Sequence, residues 1–428
     1  MNGIEDNQVL KIANQFGTPL FIYNAEIIQS NYKNLKLALS NKVDIFYSIK
    51  ANPNLAICAE LQACGAGAEI CSSTEFKTVL SAGFDPQHII FVGPAKSDQD
   101  IAQALSLPIY SIICESLSEF ARISAIARQL NVTARVALRI NPEFYAKSAL
   151  LKMGGKPSQF GMDENIVFDN IDYFKKYSNI KMIGIHVYNG TRILDAGTVY
   201  DNTKNIFSLS RKFSNAFSLQ PEMVDIGGGI GVPYHDNEKF FDLENFKQLV
   251  SKEIISFQKE YPNCRMIMES GRFLTAMSGV FVSRVVDVKT SKGENFIVTD
   301  GGTNCHMAAG GLGSLLRRNF PISAVSKNPS YSNRPKKSYN ITGPLCTPGD
   351  LIGKAVQLDD VEIGDLIVIH RSGAYGPTAS PILFLSHGFP TEVMVKENNA
   401  HLIREQQSAD TILATQRIIN QPIRSALT

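Results

Sequence analysis

Lys50, Glu69, Glu115, Arg139, His186 and Glu269 each stand at or near the end of a short apolar run, and Gly227–Gly229 follow another. Run ends chosen at random would be mostly Ser, Asn, Asp and Lys. These supply an amine, a guanidinium, an imidazole, carboxylates and a triple glycine. Taken singly, each has a plain reading beside a chemical one. Lys50, in "FYSIKANPN", is an ordinary surface charge or a reactive amine. "DIGGGIG", Asp225–Gly231, is a tight turn or a loop whose bare backbone N–H groups approach an anion closely. His186 is a satisfied core histidine or a ring that packs on an aromatic group. Glu269, in "ESGR", pairs with Arg272 or hydrogen-bonds a ring nitrogen.

Taken together, the chemical readings support one another. A lysine beside an anion cradle suits a phosphorylated aldehyde, and pyridoxal phosphate is such a molecule. A carboxylate at its ring nitrogen would keep the ring protonated and make it a strong electron sink, which suits carbanion chemistry.

Elements must bring these positions to one place. The apolar runs are Ile45–Lys50, Gly65–Ile70, Ile89–Gly93, Ile109–Glu115, Ala134–Ile140, Lys181–Val187, Glu222–Ile226 and Arg265–Glu269. Runs this apolar fit strands buried on both faces, as in a parallel sheet. Between them lie amphipathic segments such as Ser73–Ala82, Leu117–Leu130 and Leu243–Glu260. Ser72 or Ser73 ahead of Glu75 predicts a helix start. Eight such units fit an α/β fold of the (β/α)8 TIM-barrel type; an open doubly wound sheet is the rival. In a barrel, chemistry sits at the strand ends, and the loops after strands seven and eight hold phosphate. Those are the loops that carry Gly227–Gly229 and "ESGR".

After Gly279 short β-type runs parted by Gly, Pro and Asn predict a second, mainly β domain. The expected boundaries are 25–278 for the barrel, with 1–24 and 279–428 forming the β domain. Residues 326–340 read as an exposed loop.

The chain has 428 residues, enough for a large core, and a formal charge of +2. That balance gives no reason to expect a nucleic-acid or acidic-membrane partner. No stretch reaches the roughly 18–20 apolar residues of a membrane span, and Met1–Gly17 does not read as a signal peptide. Seven cysteines, an odd number without C-x-x-C spacing, predict reduced thiols and a cytoplasmic location. Seven histidines without H-x-x-x-H spacing give no support for a metal site.

The chain resembles the fold-type III pyridoxal-phosphate decarboxylases, the group of diaminopimelate and ornithine decarboxylases. The likeness covers about residues 17–400 and rests on "YSIKAN", "GAEICSSTE", "RINP", "GIHVYNGT", "DIGGGIG", "ESGRF", "GPLCTPGD" and "GAYG". It implies an alanine-racemase-like barrel with a C-terminal β domain, and pyridoxal 5'-phosphate as cofactor. It implies that Lys50 is the Schiff-base lysine and that Glu69 stands where the family often has Asp. Arg139 resembles the arginine of the cofactor's hydrogen-bond network, His186 the histidine stacked on the ring, and Glu269 the partner of the pyridine nitrogen. Gly228, Gly229, Gly271 and Arg272 resemble the phosphate-binding backbone and its neighbour, and Tyr375 the tyrosine that reaches the phosphate. Cys346 resembles the acid that protonates Cα, supplied by the other subunit, which implies a homodimer with shared active sites.

The departures concern substrate. The residue after Cys346 is Thr347, where diaminopimelate decarboxylases carry Glu and ornithine decarboxylases Asp. Asn189 stands where a serine is common, and "EPGR" has become "ESGR". The segments "GIHVYNGT", "HMAAGGLGSLLRRNFP" and "FLSHGFPTEV" resemble a subgroup typified by glutamyl-acyl-carrier-protein decarboxylase, with relatives in antibiotic, siderophore and exopolysaccharide pathways. That implies a conjugated or carrier-linked amino acid, with an acyl or peptidyl carrier protein as partner. Arg317 and Arg318 would then meet the carrier's phosphopantetheine or a substrate carboxylate, or form a solvated basic turn. A diaminopimelate decarboxylase of lysine biosynthesis is the alternative. An amino-acid racemase is disfavoured by Glu269, because racemases of this fold typically set an arginine there. A non-catalytic pyridoxal-phosphate protein would leave Cys346 and Tyr375 without purpose.

Overall fold

The computed structural model describes residues 3–146, 148, 151–311, 318–327 and 335–418. Two compact units emerge. One holds Asn24–Gly279 with Gly373–Tyr375, and the other holds Ile4–Tyr23, Val280–Ser372 and the chain after Gly376.

The first unit is a closed parallel barrel. Its strands are β1 (Val43–Ser48), β2 (Gly67–Ile70), β3 (Ile89–Phe91), β4 (Ser111–Cys114), β5 (Ala134–Asn141), β6 (Ile180–His186), β7 (Met223–Asp225) and β8 (Arg265–Ser270). Each pairs in parallel with the next, and β8 returns to β1 with Met268 beside Ile45. Every apolar run named above supplies one strand, and closure excludes the open-sheet rival. The helices between them start where the side chains allow. Ser72 caps Ser73–Ser81 by accepting from the Glu75 N–H at 3.1 Å. Asn54 caps Leu55–Ala63, so the helix after Lys50 begins only after "ANPN" has turned the chain.

The barrel interior is layered. Phe46, Ile90, Ile113, Ala137, Ile183, Met223 and Ile267 belong to one buried apolar cluster. Two residues further along their strands, Ala137, Met223 and Ile267 give way to Arg139, Asp225 and Glu269. Strand alternation turns both members of each pair to the same side, so a polar layer lies on the apolar one. β6 joins this layer by a register irregularity. Val136 pairs with Met182 but Ala137 pairs with Gly184, so one extra residue, Ile183, is accommodated there. Past it, His186 is level with both Arg139 and Asp225.

The second unit is a mixed nine-stranded sheet. Its main path runs Leu351–Leu358, Lys337–Thr342, Glu294–Thr299, Gly279–Ser291, Leu20–Asn24, Thr391–Lys396 and Asn399–Arg404. Leu366–His370 pairs with both Gly279–Ser291 and Ile322–Val325. The amphipathic helix Asp6–Phe16 buries Val9, Ile12 and Ala13 in a cluster with Leu20, Ile22, Val280, Leu366 and Val393.

Two details depart from the sequence reading. Lys337–Thr342 is a strand, so the loop expected over 326–340 ends earlier; residues 328–334 lie outside the described residues. Gly373–Tyr375, expected with the β domain, groups with the barrel. Its backbone is tied there by Gly373 N–H to Ala276 O (3.0 Å) and Tyr375 N–H to Ala51 O (2.7 Å).

Candidate active site

Lys50 lies in a short helical turn, Ile49–Ala51, directly after β1. Its amine donates to both oxygens of Glu69, at 2.8 and 3.0 Å. The Glu69 side chain is fully enclosed, whereas that of Lys50 remains 41% exposed toward the cavity. Burial works to lower the amine and raise the carboxyl, but their mutual attraction outweighs it. The Lys50 amine is held well above its ordinary range and the Glu69 carboxyl below its own. The Cys71 thiol also donates to Glu69, at 3.1 Å.

Glu115, just beyond β4, joins the loops around it. One oxygen accepts from Arg139 at 2.8 Å and from the Gly93 N–H at 2.9 Å; the other accepts from the Gly161 N–H at 3.0 Å. Arg139 is thereby fixed, with the Phe160 ring 4.8 Å from its guanidinium.

The polar floor is made by β6, β7 and β8. His186 is fully buried and its Nε2 lies 2.9 Å from Glu269 Oε1. Asp225 accepts from the Gly227 N–H at 2.8 Å. Burial, reinforced by the nearby Glu269 charge, raises the Asp225 carboxyl well above its usual range, so it holds its proton where an exposed aspartate would not. One ligand atom from each of His186, Asp225 and Glu269 lies within 4.8 Å of the others.

The residues present suit pyridoxal phosphate. His186 Nδ1, Asp225 Oδ2 and Arg272 Nε are buried polar atoms without a partner among the described residues. A Cβ on Gly228 would run into the Glu269 carbonyl, and one on Gly229, whose φ is +91°, into the Gly190 carbonyl. Only glycine admits such close backbone approach, which leaves main-chain N–H groups bare. Gly229, Gly271, Arg272 and Tyr375 line a small recess with Lys50. A larger cavity of about 330 Å³ shares Lys50, Tyr188, Glu269 and Tyr375 with it. Lys50, Glu69, Arg139, His186, Gly228, Gly229, Glu269, Gly271, Arg272 and Tyr375 thus gather at one end of the barrel.

Other positions extend the picture. Tyr188 sets its ring centre 5.9 Å from the Lys50 Nζ, and His186 Nε2 meets Glu269. Burial pushes the Tyr188 phenol up to about 12. Asn189, expected at the substrate, donates instead to Asn202 at 2.7 Å and is buried. It follows Tyr188 in the chain and faces the helix Ala196–Phe217. Arg318 is exposed, and Arg317 lies outside the described residues. Cys346 and Thr347 belong to the other unit. Their loop is held by buried Asp350, which accepts from the Leu345 N–H at 2.8 Å and the Thr303 N–H at 2.7 Å, and Cys346 is exposed at its tip. Tyr188 and Asp225 were absent from the expected site. Tyr188 had a signal, an aromatic two residues after a strand-end histidine; Asp225 read only as the start of a glycine turn.

Fold and site define a (β/α)8-barrel enzyme built around a lysine, a phosphate cradle and an acidic floor. The family described as pyridoxal-dependent decarboxylase, pyridoxal binding domain, matches residues 25–276. L-glutamyl-[BtrI acyl-carrier protein] decarboxylase of Niallia circulans is 36% identical over 414 residues, covering 96% of this chain and 97% of that one. Diaminopimelate decarboxylase of Campylobacter jejuni is 30% identical over 406 residues, covering 94% and 97%. The crystal structure of the Helicobacter pylori diaminopimelate decarboxylase complexed with L-lysine superposes with a TM-score of 0.84 at 27% identity, covering 95% and 98%. The chain therefore belongs to the pyridoxal-dependent decarboxylases. It is a lyase that uses pyridoxal phosphate. Among the described residues no helix is long and apolar enough to cross a membrane.

Two outcomes follow from the site. Lys50→Ala should lose the visible absorbance of lysine-bound cofactor and bring turnover to background; an unchanged spectrum would remove Lys50 from its role. The Asp225 carboxyl has a raised pKa in the folded state, so that state binds the extra proton. Its contribution to stability is complete below the unfolded value of about 3.9 and is lost as pH rises toward the folded value. In cofactor-free protein, Asp225→Asn should therefore raise Tm by a few degrees at pH 7 relative to wild type. The gain should shrink toward pH 4, and a difference of equal size at both pH values would contradict the assignment.

Proposed function

We propose that this decarboxylase acts on an amino acid whose far end is masked by conjugation, as on an acyl or peptidyl carrier protein. The observation that carries this reading is that the described residues of the cavity wall include no cation without a carboxylate partner. Among its described lining residues the only Lys or Arg side chains are Lys50 and Arg139, and each is already paired with a glutamate. Val92, Ala95, Met153 and Phe160 supply apolar parts of the same wall. A free distal carboxylate would meet no charge there, whereas an amide or thioester would lose none. Uncharged Thr347 and the 36% identity to a carrier-protein glutamyl decarboxylase support the same reading. The diaminopimelate decarboxylases among the relatives favour the alternative, a free diamino acid of lysine biosynthesis.

When bound, pyridoxal phosphate supplies a ring that accepts the electron pair left on Cα as carbon dioxide departs. The chain's side chains prepare the site for this. Glu69 orients the Lys50 amine that would hold the cofactor's aldehyde. Glu269, held by His186, offers an oxygen to the proton on the ring nitrogen. Gly228, Gly229, Gly271 and Arg272, with Tyr375, would hold the phosphate. Glu115 keeps Arg139 in place, and Tyr188 lines the cavity with its ring near the Lys50 amine.

Cys346 would deliver the proton to Cα from across a homodimer interface, so that each site draws on two subunits. None of the seven cysteines is in a disulfide among the described residues, which supports a reducing, cytoplasmic setting.

A carbon dioxide assay with glutamyl-carrier conjugate, free glutamate, ornithine, lysine and meso-diaminopimelate decides the substrate. The conjugate should exceed the free amino acids in kcat/KM by about 100-fold or more. A preference for meso-diaminopimelate would establish the alternative. Mixing inactive Lys50→Ala with inactive Cys346→Ala should restore about a quarter of wild-type activity, because mixed dimers carry one intact site. No recovery on subunit exchange would exclude a shared site.

A further inference from the structure

Beside the recess that Arg272 lines stands a second arginine. Arg192 follows Gly190–Thr191, the short strand that pairs with Leu151–Lys152. Its backbone is left-handed, with φ +61°, a conformation non-glycine residues rarely adopt. The turn lets Ile193 bridge to Ile230 beside the glycine loop. Both guanidinium groups lie over one ring: Arg192 and Arg272 are each 5.4 Å from the centre of Tyr234. Arg272 also donates to the Tyr234 hydroxyl at 2.8 Å.

Two arginines here share one carboxylate among the described residues. Arg272 has no carboxylate partner among the described residues. Arg192 is ion-paired with Glu238 at 3.7 Å, beyond hydrogen-bond distance. Glu238 also accepts the Tyr234 and His235 N–H groups at 2.7 and 3.2 Å. The Nε atoms of both arginines are buried without a partner among the described residues. Two cations sharing one tyrosine repel each other, and buried donors left unmet are costly. A ligand that brings negative charge and several acceptor oxygens would relieve both penalties. Phosphate does so, and arginine's planar fork suits it.

We propose that Arg192 is a second phosphate-binding cation, acting with Arg272 around Tyr234 on a phosphate group at or beside the glycine cradle. The phosphate is the cofactor's, seated at the cradle, or that of a phosphodiester arm on the substrate, lying next to it. Only the second source rests on the carrier-linked reading.

The test needs no turnover. Stabilisation of the cofactor-free full-length protein by inorganic phosphate is measured by thermal unfolding, beside the affinities for pyridoxal phosphate and for pyridoxal by absorbance titration. Arg192→Gln should weaken phosphate binding about tenfold, with Arg192→Lys intermediate because it keeps charge without the fork. If the cofactor is the source, Arg192→Gln weakens pyridoxal phosphate but not pyridoxal. If the substrate is the source, cofactor affinity holds, and the loaded protein loses phosphate binding while KM rises for the carrier-linked substrate. The phosphate-free melting of Arg192→Lys reports whether the fold survives. Equal phosphate binding by wild type and Arg192→Gln, cofactor-free and loaded, overturns the proposal, whatever the substrate assay finds.

Discussion

Closure of eight parallel strands into a ring governs this site. In a closed barrel, alternate residues of every strand must turn inward, and the inner volume is too small for loops or water. The interior therefore fills with apolar side chains up to the level of Ala137, Met223 and Ile267. The next inward position on the same strands is the first that can be polar. Arg139, Asp225 and Glu269 occupy it, and they inherit a rigid apolar base that holds them in place. A cofactor placed above that layer meets side chains whose positions were set by strand register.

Four buried acids stand at this end of the barrel, and their neighbours give them different states. Glu69 is ionised because the Lys50 amine lies against both its oxygens. Glu115 spends its oxygens on Arg139 and two backbone N–H groups, so it works as a clamp between loops. Glu269 is bonded to His186. Asp225 has one backbone N–H and a nearby like charge, so it keeps its proton. Enclosed carboxylates this close cannot all be charged, and separating their protonation states lets one floor offer both an acceptor and a donor. The excess of positive charge sits elsewhere, with Arg192 and Arg272 around Tyr234, beside the glycines that would hold a phosphate.

Much of this was legible in the chain. The barrel was legible because its strands read as buried apolar runs and most intervening helices carry a side-chain cap, as at Ser72 and Asn54. Lys50, Glu69, Arg139 and Glu269 were legible because they interrupt those runs at their ends. Tyr188, Asp225 and Arg192 were not recognised. Each sits next to a conspicuous residue or motif, and nothing in a linear reading tells which neighbour faces the cavity. Asn189 shows the same limit from the other side: a polar residue in a promising loop proved to serve a helix contact with Asn202.

By itself the sequence determined the order of strands and helices, the lysine just past the first strand, the glycine loop after the seventh and the acid on the eighth. Those are local properties, set by side-chain polarity, spacing and the backbone freedom of glycine. Tertiary structure alone decided which of these residues meet. The shift that lets β6 hold one extra residue at Ile183 is the plainest case. By simple alternation from Ile183, Ile185 would share its side of the strand and His186 would face away. Pairing with β5 and β7 sets the register instead, and it places His186 level with Arg139 and Asp225 and against Glu269. Register depends on neighbouring strands that are far away in sequence, so only the closed barrel could fix it.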